Sequence, residues 1–173
     1  MEISKTDLYL SLGSNIGDRL GYLREAIVRI NMEIGTIKSI SPVYETPPWG
    51  FDAATPFLNL CVLVPTKLSA KSVMEEIKQI EKVLGREKSQ VKGYSSRKID
   101  IDIILYGHLC IDLENLHIPH PRFRSRKFVL QPLKDIAKDV TDPFTNLTIA
   151  QLFGNCQDIS LITCYSKELQ SNS

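Results

Sequence analysis

The 173-residue sequence has no internal repeat, no low-complexity tract and no surplus of charge. Its 21 Lys and Arg stand against 20 Asp and Glu, a net charge of +1. That balance removes the simplest argument for a nucleic-acid or membrane-surface partner, so a polyanionic ligand must be met by local clusters of charge. No apolar run reaches the roughly 18 residues that a membrane-crossing helix needs. Cys61, Cys110, Cys156 and Cys164 form no CxxC pair, which argues against a zinc ribbon or a redox dithiol. The opening MEISKTDLYLSLG has no basic stretch followed by an apolar one. No secretory leader is therefore expected, and the chain is expected in the cytoplasm.

What is present is ordinary globular material, 43% hydrophobic and 24% charged, at a length that suits one domain, 1–173. Cys61 and Cys110 lie in apolar runs and are expected to act as small core hydrophobes. Residues 7–12 alternate as a strand and end in the turn Gly13-Ser14-Asn15. Leu20, Leu23, Ile27, Ile30 and Ile34 recur at helical spacing. A second strand is predicted over 37–46, with Pro42 marking an edge or a bulge, and a third over 57–64. Ser69 is the expected cap of a second helix carrying Val73, Ile77, Ile80 and Leu84, closed by Gly85. A fourth strand spans 99–106, a hairpin-like segment 108–118 and a third helix about 127–137. The last residues, LQSNS, are expected to fray. Strand, helix, strand, strand, helix, strand is the order of a ferredoxin-like α+β core, an antiparallel sheet with two helices on one face. The segments 47–56 and 86–98 have no hydrophobic period, and long loops of that kind tend to be functional.

Asp100-Ile101-Asp102 is the sharpest chemical feature. In a strand both carboxylates fall on one face, about 7 Å apart at Cα, while Ile99, Ile101 and Ile103 point to the core. Paired carboxylates repel unless a cation joins them, and oxygen ligands of this kind suit Mg²⁺. An amphipathic strand with a wet face is the plainer alternative. Arg86, Lys88, Lys92, Arg97 and Lys98 precede or abut the pair, and Arg122, Arg124, Arg126 and Lys127 follow it. An acidic pair between basic clusters suits a Mg²⁺–polyphosphate ligand, though charge runs are also common as solvated surface. Phe57 and Asn59 share a strand face next to the stiff Thr46-Pro47-Pro48-Trp49-Gly50 loop, and a ring beside an amide can hold a flat polar heterocycle. A core Phe and a strand-end Asn are the alternative. His120 sits between two prolines. Gly13 to Gly17 lacks the Lys-Ser/Thr of a P-loop and is better taken as a tight turn.

Five ordered blocks, YLSLGSNIGDR, SPVYETPPWG…PFLN, IEKVLGRE, RKIDIDIILYG and IPHPRFRSRKFVLQPL, together resemble the 6-hydroxymethyl-7,8-dihydropterin pyrophosphokinase family of folate biosynthesis. The resemblance covers about residues 7–143 and leaves a C-terminal extension from about 154. It implies a ferredoxin-like core and transfer of diphosphate from MgATP to a reduced pterin, with release of AMP. It also implies two Mg²⁺ ions on Asp100 and Asp102, and Arg86 and Arg97 as further catalytic residues. The pterin is then expected at Thr46, Pro47, Trp49, Phe57, Asn59 and Phe128. ATP is expected at Glu81, Arg86, Lys88, Arg97, Ile103, His120 and Arg126, with the loops 47–56 and 86–98 closing over both substrates. Small-molecule substrates, no nucleic acid, no membrane and a monomer complete the expectation. An RNA-binding module of the same fold and a catalytically silent ligand-binding member are the competing classes. The near-zero net charge and the lack of an aromatic RNA-binding strand count against the first. Retention of the acidic pair, the arginines and Asn59 counts against the second.

Overall fold

The computed structural model describes residues 4–47, 55–85 and 98–172. The elements in chain order are β1 (Thr6–Ser14), α1 (Arg19–Glu33), β2 (Ser39–Ile40), β3 (Val43–Thr46), β4 (Phe57–Thr66), α2 (Ala70–Val83), β5 (Asp100–Tyr106), β6 (Ile111–Leu113), β7 (Leu116–Ile118), α3 (Lys127–Ala137), α4 (Ile149–Asn155) and β8 (Thr163–Ser166). Short 3-10 turns at Phe123–Ser125 and Glu168–Asn172 complete it. The main sheet runs β5-β1-β4-β3-β8, every pairing antiparallel, with β2 also on β4. β6 and β7 form a separate hairpin.

Alternation along the strands divides the apolar side chains between two cores. Leu8, Leu10 and Leu12 of β1, Leu58, Leu60, Val62 and Val64 of β4, and Ile101 and Ile103 of β5 pack under α1 and α2. Tyr9, Cys61 and Leu63 point the other way, under α3 and α4. In α1 the periodic Leu23, Ile27 and Ile30 are buried as their spacing predicts, and Ser69 caps α2 by accepting from the Ser72 N–H. Register slips between Tyr9 and Leu10, so that Tyr9 pairs with Leu105 and Leu10 with Ile103. The extra residue is Ile104, and beyond this bulge the strand changes phase: Ile104 and Leu105 both enter the second core, while Tyr106 returns to the first. Gly17 turns the chain from β1 into α1 at φ 68°, a conformation that favours glycine.

Three expectations need correction. The predicted strand 37–46 is two short strands, because Ser41 and Pro42 interrupt the ladder and the Ser41 hydroxyl takes the Cys61 N–H instead. Cys61 is buried but Cys110 is exposed. It lies in the turn between β5 and the hairpin, where its apolar neighbours in sequence do not become neighbours in space. The C-terminus is not frayed up to residue 170. β8 pairs with β3, Leu169 is 2% exposed in the first core, and the Gln170 side chain donates to the Ile40 carbonyl. The third helix expected over about 127–137 is α3, which with α4 covers the second face of the sheet.

Candidate active site

Asp100 and Asp102 project from β5 on the face opposite Ile101 and Ile103, as the period of two requires. Register builds the rest of the floor. Asp100 pairs with Gly13, which pairs with Asn59, which pairs with Tyr44. Asp102 pairs with Ser11, which pairs with Cys61. One row across the sheet therefore carries a carboxylate, a bare backbone, an amide and a phenol. Gly13 keeps that row open: a Cβ there would lie 3.0 Å from Asn59 Oδ1 and 3.8 Å from the Phe57 ring.

At the β3–β4 end, Asn59 is 3% exposed and its Nδ2 donates to Thr46 Oγ1 at 2.8 Å. Thr46 is buried, Phe57 beside it is half-buried, and Pro47 is exposed. That bond orients the amide and leaves its Oδ1 on the open floor. Arg19, the first residue of α1, donates to Glu45 Oε2 at 2.9 Å and to the Pro56 carbonyl at 2.8 Å, tying the two strand ends together.

At the other end lies a cavity of about 520 Å³ that includes Lys78 and Glu81 of α2, Asp100, Asp102 and Ile103 of β5, and His117, His120, Arg122 and Arg126 among its lining. Glu81 is 6% exposed and accepts the Ile101 N–H at 2.9 Å, so α2 is pinned to the strand that bears the acidic pair. His120 donates its backbone N–H to the bulged Ile104 carbonyl, and its Nδ1 accepts the Arg122 N–H at 3.1 Å. That leaves the ring proton on Nε2. Burial, with Arg122, His117 and Arg124, pushes its pKa down to about 4 against the opposing charge of Asp100. The ring is thus neutral at physiological pH, a donor without charge. Arg126 is 4% exposed, and burial lowers its pKa to about 10, still fully cationic near neutrality. Its guanidinium lies 5.7 Å from the centre of the Phe128 ring. Arg126 is therefore the side chain that joins the cavity to the α3 end where Phe128 stands half-buried.

Of the residues singled out from sequence, Glu81, Asp100, Asp102, Ile103, His120 and Arg126 meet in the cavity. Thr46, Pro47, Phe57 and Asn59 gather at the β3–β4 end, and Phe128 stands on α3. Trp49, Arg86, Lys88 and Arg97 lie outside the described residues, as does nearly all of the 86–98 loop. Arg124 departs from the basic-cluster expectation. It makes a two-bonded ion pair with the fully buried Asp142, at 2.6 and 2.8 Å, between the rings of Phe123 and Phe144. Sequence reasoning misses Lys78 and His117. Lys78 lies three residues before Glu81, a spacing that puts both on one helix face and is visible in the sequence. His117 has no such signal. Its place is decided by the β6–β7 hairpin, where it pairs with Asp112 and shares a hydrogen bond of 2.7 Å.

Comparison with known proteins gives this geometry its context. The family described as 7,8-dihydro-6-hydroxymethylpterin-pyrophosphokinase (HPPK) matches residues 9–138. The chain belongs to this family. A 2-amino-4-hydroxy-6-hydroxymethyldihydropteridine pyrophosphokinase of Porphyromonas gingivalis is 40% identical over 132 residues, 75% of this chain and 90% of that protein. The Bacillus subtilis protein of the same name is 40% identical over 139 residues, 80% of this chain and 82% of its own length. The folic acid synthesis protein fol1 of Pneumocystis carinii is 40% identical over 156 residues, and there the match spans only 21% of the longer protein. Among solved structures, wild-type Plasmodium falciparum HPPK-DHPS with pteroate aligns with a TM-score of 0.72 over 90% of this chain and 43% of that one. At 18% identity that likeness concerns the fold.

Proposed function

We propose that this chain transfers diphosphate from ATP to the hydroxymethyl group of 6-hydroxymethyl-7,8-dihydropterin, releasing AMP, as a step of folate biosynthesis. The observation that carries the proposal is the acidic pair facing a cavity with Arg122, Arg126 and His120, in a chain of the HPPK family. The order β5-β1-β4-β3, with α1 and α2 as crossovers, supports reading the core as ferredoxin-like within a single domain. The same reading takes the chain as a cytoplasmic monomer acting on small molecules, with no nucleic-acid or membrane partner. Among the described residues no helix is long and apolar enough to cross a membrane.

The donor set fits Mg²⁺. Two half-buried carboxylates stand on one strand face, and among the described residues no third His, Cys, Asp or Glu joins them in a metal-holding group. A hard cation that keeps water and phosphate oxygens in its shell needs no more than that. Asp100 and Asp102 would hold the ions, two in this reading, which supply neutralisation of the triphosphate and acidification of the attacking hydroxyl. Arg126, held rigid by burial, meets phosphate oxygens with its planar fork, and neutral His120 donates from Nε2. Glu81, with its backbone-bonded carboxylate, and the Ile103 side shape the nucleotide end. Thr46 fixes the Asn59 amide so that its remaining groups meet the pterin edge beside Pro47, and Phe57 and Phe128 supply the two ring faces; Trp49 would complete the pterin contacts. The hydroxymethyl oxygen gives up its proton to solvent and attacks the β-phosphorus, the bond from that phosphorus to the α-bridging oxygen breaks, and AMP leaves with that oxygen. No covalent enzyme intermediate is needed. Arg86, Lys88 and Arg97 would complete the phosphate contacts.

Protein, ATP, Mg²⁺ and the pterin alcohol, mixed and separated by chromatography, should give AMP and the pterin diphosphate in equal amounts. Folded protein that binds both substrates and forms neither product would support the silent-member reading instead.

A further inference from the structure

The C-terminal segment lies outside the 9–138 family match, and its contacts fall beside the candidate site. α3 begins with a conflict. Its N-cap residue is Arg126, which makes no side-chain capping bond. A helix start leaves its first N–H groups without intrahelical partners, and a Ser, Thr, Asp or Asn at the N-cap normally meets one of them. Arg126 has no acceptor to offer, and its side chain lines the cavity.

The acceptor comes from 31 residues further along the chain. Asp158 Oδ2 takes the Lys127 N–H at 3.0 Å. Its other oxygen is held by the Ser160 N–H at 2.9 Å and by the Ser160 hydroxyl. Lys127 Nζ reaches back to the Ser160 carbonyl at 3.3 Å. A carboxylate at a helix N-terminus is also favoured by the helix dipole. Beyond Ser160 the segment is anchored by its pairing as β8 on β3, by Tyr165 over the Arg19 guanidinium at 5.7 Å, and by Leu169 in the core. Asp158 is thus fixed at both ends.

We propose that Asp158 is a positioning residue for the active site: it supplies the acceptor at the start of α3 that Arg126 cannot, and so fixes the helix turn that carries Arg126 and Phe128. This rests on the proposed function only in naming what Arg126 and Phe128 bind.

The test uses full-length protein and three variants. Asp158→Ala removes the cap. Asp158→Asn keeps a good capping oxygen without the charge. Thr148→Ala removes a comparable cap from α4, where the Thr148 side chain takes the Gln151 N–H and is not part of the cavity lining. Hydrogen exchange in the first turn of α3, without substrates, should speed up in Asp158→Ala by about fivefold, the scale of a lost cap, and stay near wild type in the other two. KM for ATP and for pterin should rise by a similar factor in Asp158→Ala alone, with Asp158→Asn restoring both. Unchanged α3 exchange, or Asp158→Asn as impaired as Asp158→Ala, overturns the capping role. Equal KM changes in Asp158→Ala and Thr148→Ala would reduce the effect to general stability and overturn it too. Wild-type protein that releases no AMP would instead overturn the proposed function, while the exchange result still decides the cap.

Discussion

At the residue scale, the acidic pair and the aromatic pair make opposite demands on the fold. Asp100 and Asp102 point away from the core that holds Ile101 and Ile103, so neither carboxylate contributes packing there. Asp100→Ala or Asp102→Ala is expected to abolish AMP formation while leaving the melting temperature without Mg²⁺ no lower than wild type, since like-charge repulsion is relieved. Near-normal turnover in either variant would remove the metal assignment. Phe57 and Phe128 are both half-buried, and in the proposed reading they are the two rings that contact the pterin. Truncating either to Ala should weaken pterin binding by about 1–3 kcal/mol, the scale of stacking on an aromatic side chain. ATP binding should change much less, which paired titrations with each substrate will measure.

At the element scale, the turn before α3 depends on a buried ion pair. Asp142 is fully buried and holds Arg124 through two bonds, with Thr145 Oγ1 and the Phe144 N–H as further donors. Burial pushes the Asp142 carboxyl up. The hydrogen bonds from Arg124, Thr145 and Phe144, with the Arg124 charge, outweigh it and hold the carboxyl below its ordinary 3.8. A carboxyl depressed by folding stabilises the protein fully above its unfolded value, and that stability is lost as pH falls below 3.8 through the lower folded value. Asp142→Ala should cost about 3 kcal/mol at neutral pH, the lower end for breaking a buried pair because Arg124 can reach water. It should also remove part of the acid limb of the stability profile, measured by urea unfolding between neutral pH and the acid range.

At the scale of the whole molecule, the C-terminal segment is part of the fold. Leu169 enters the same core as Leu8 and Ile30, and Glu168 pairs with Arg24 at 2.5 Å on α1. Leu169→Ala should lower global stability by about 2–4 kcal/mol, as for other buried leucines, with a single cooperative transition. A loss below about 0.5 kcal/mol, the range of exposed substitutions, would mean that the segment is merely laid on the surface.

The division between what sequence and tertiary structure each decided follows from the range of the interactions. Periodicity is local, so the faces of α1, α2 and β5, the cap at Ser69 and the common face of Asp100 and Asp102 are legible in the order of residues alone. So are Phe57 with Asn59, and the two basic segments. Register is not local. That Gly13 stands between Asn59 and Asp100, that an extra residue at Ile104 shifts the phase of β5, and that Arg124 belongs to Asp142 rather than to a ligand all depend on which distant segments meet. Cys110 shows the same limit: an apolar neighbourhood in sequence predicts burial only when the chain continues into a core, and here it turns outward. The tail shows it most plainly. A short polar ending has no pattern of its own, and β8, Leu169 and the Asp158 cap form only because β3, the first core and the open N-terminus of α3 are already there to receive them.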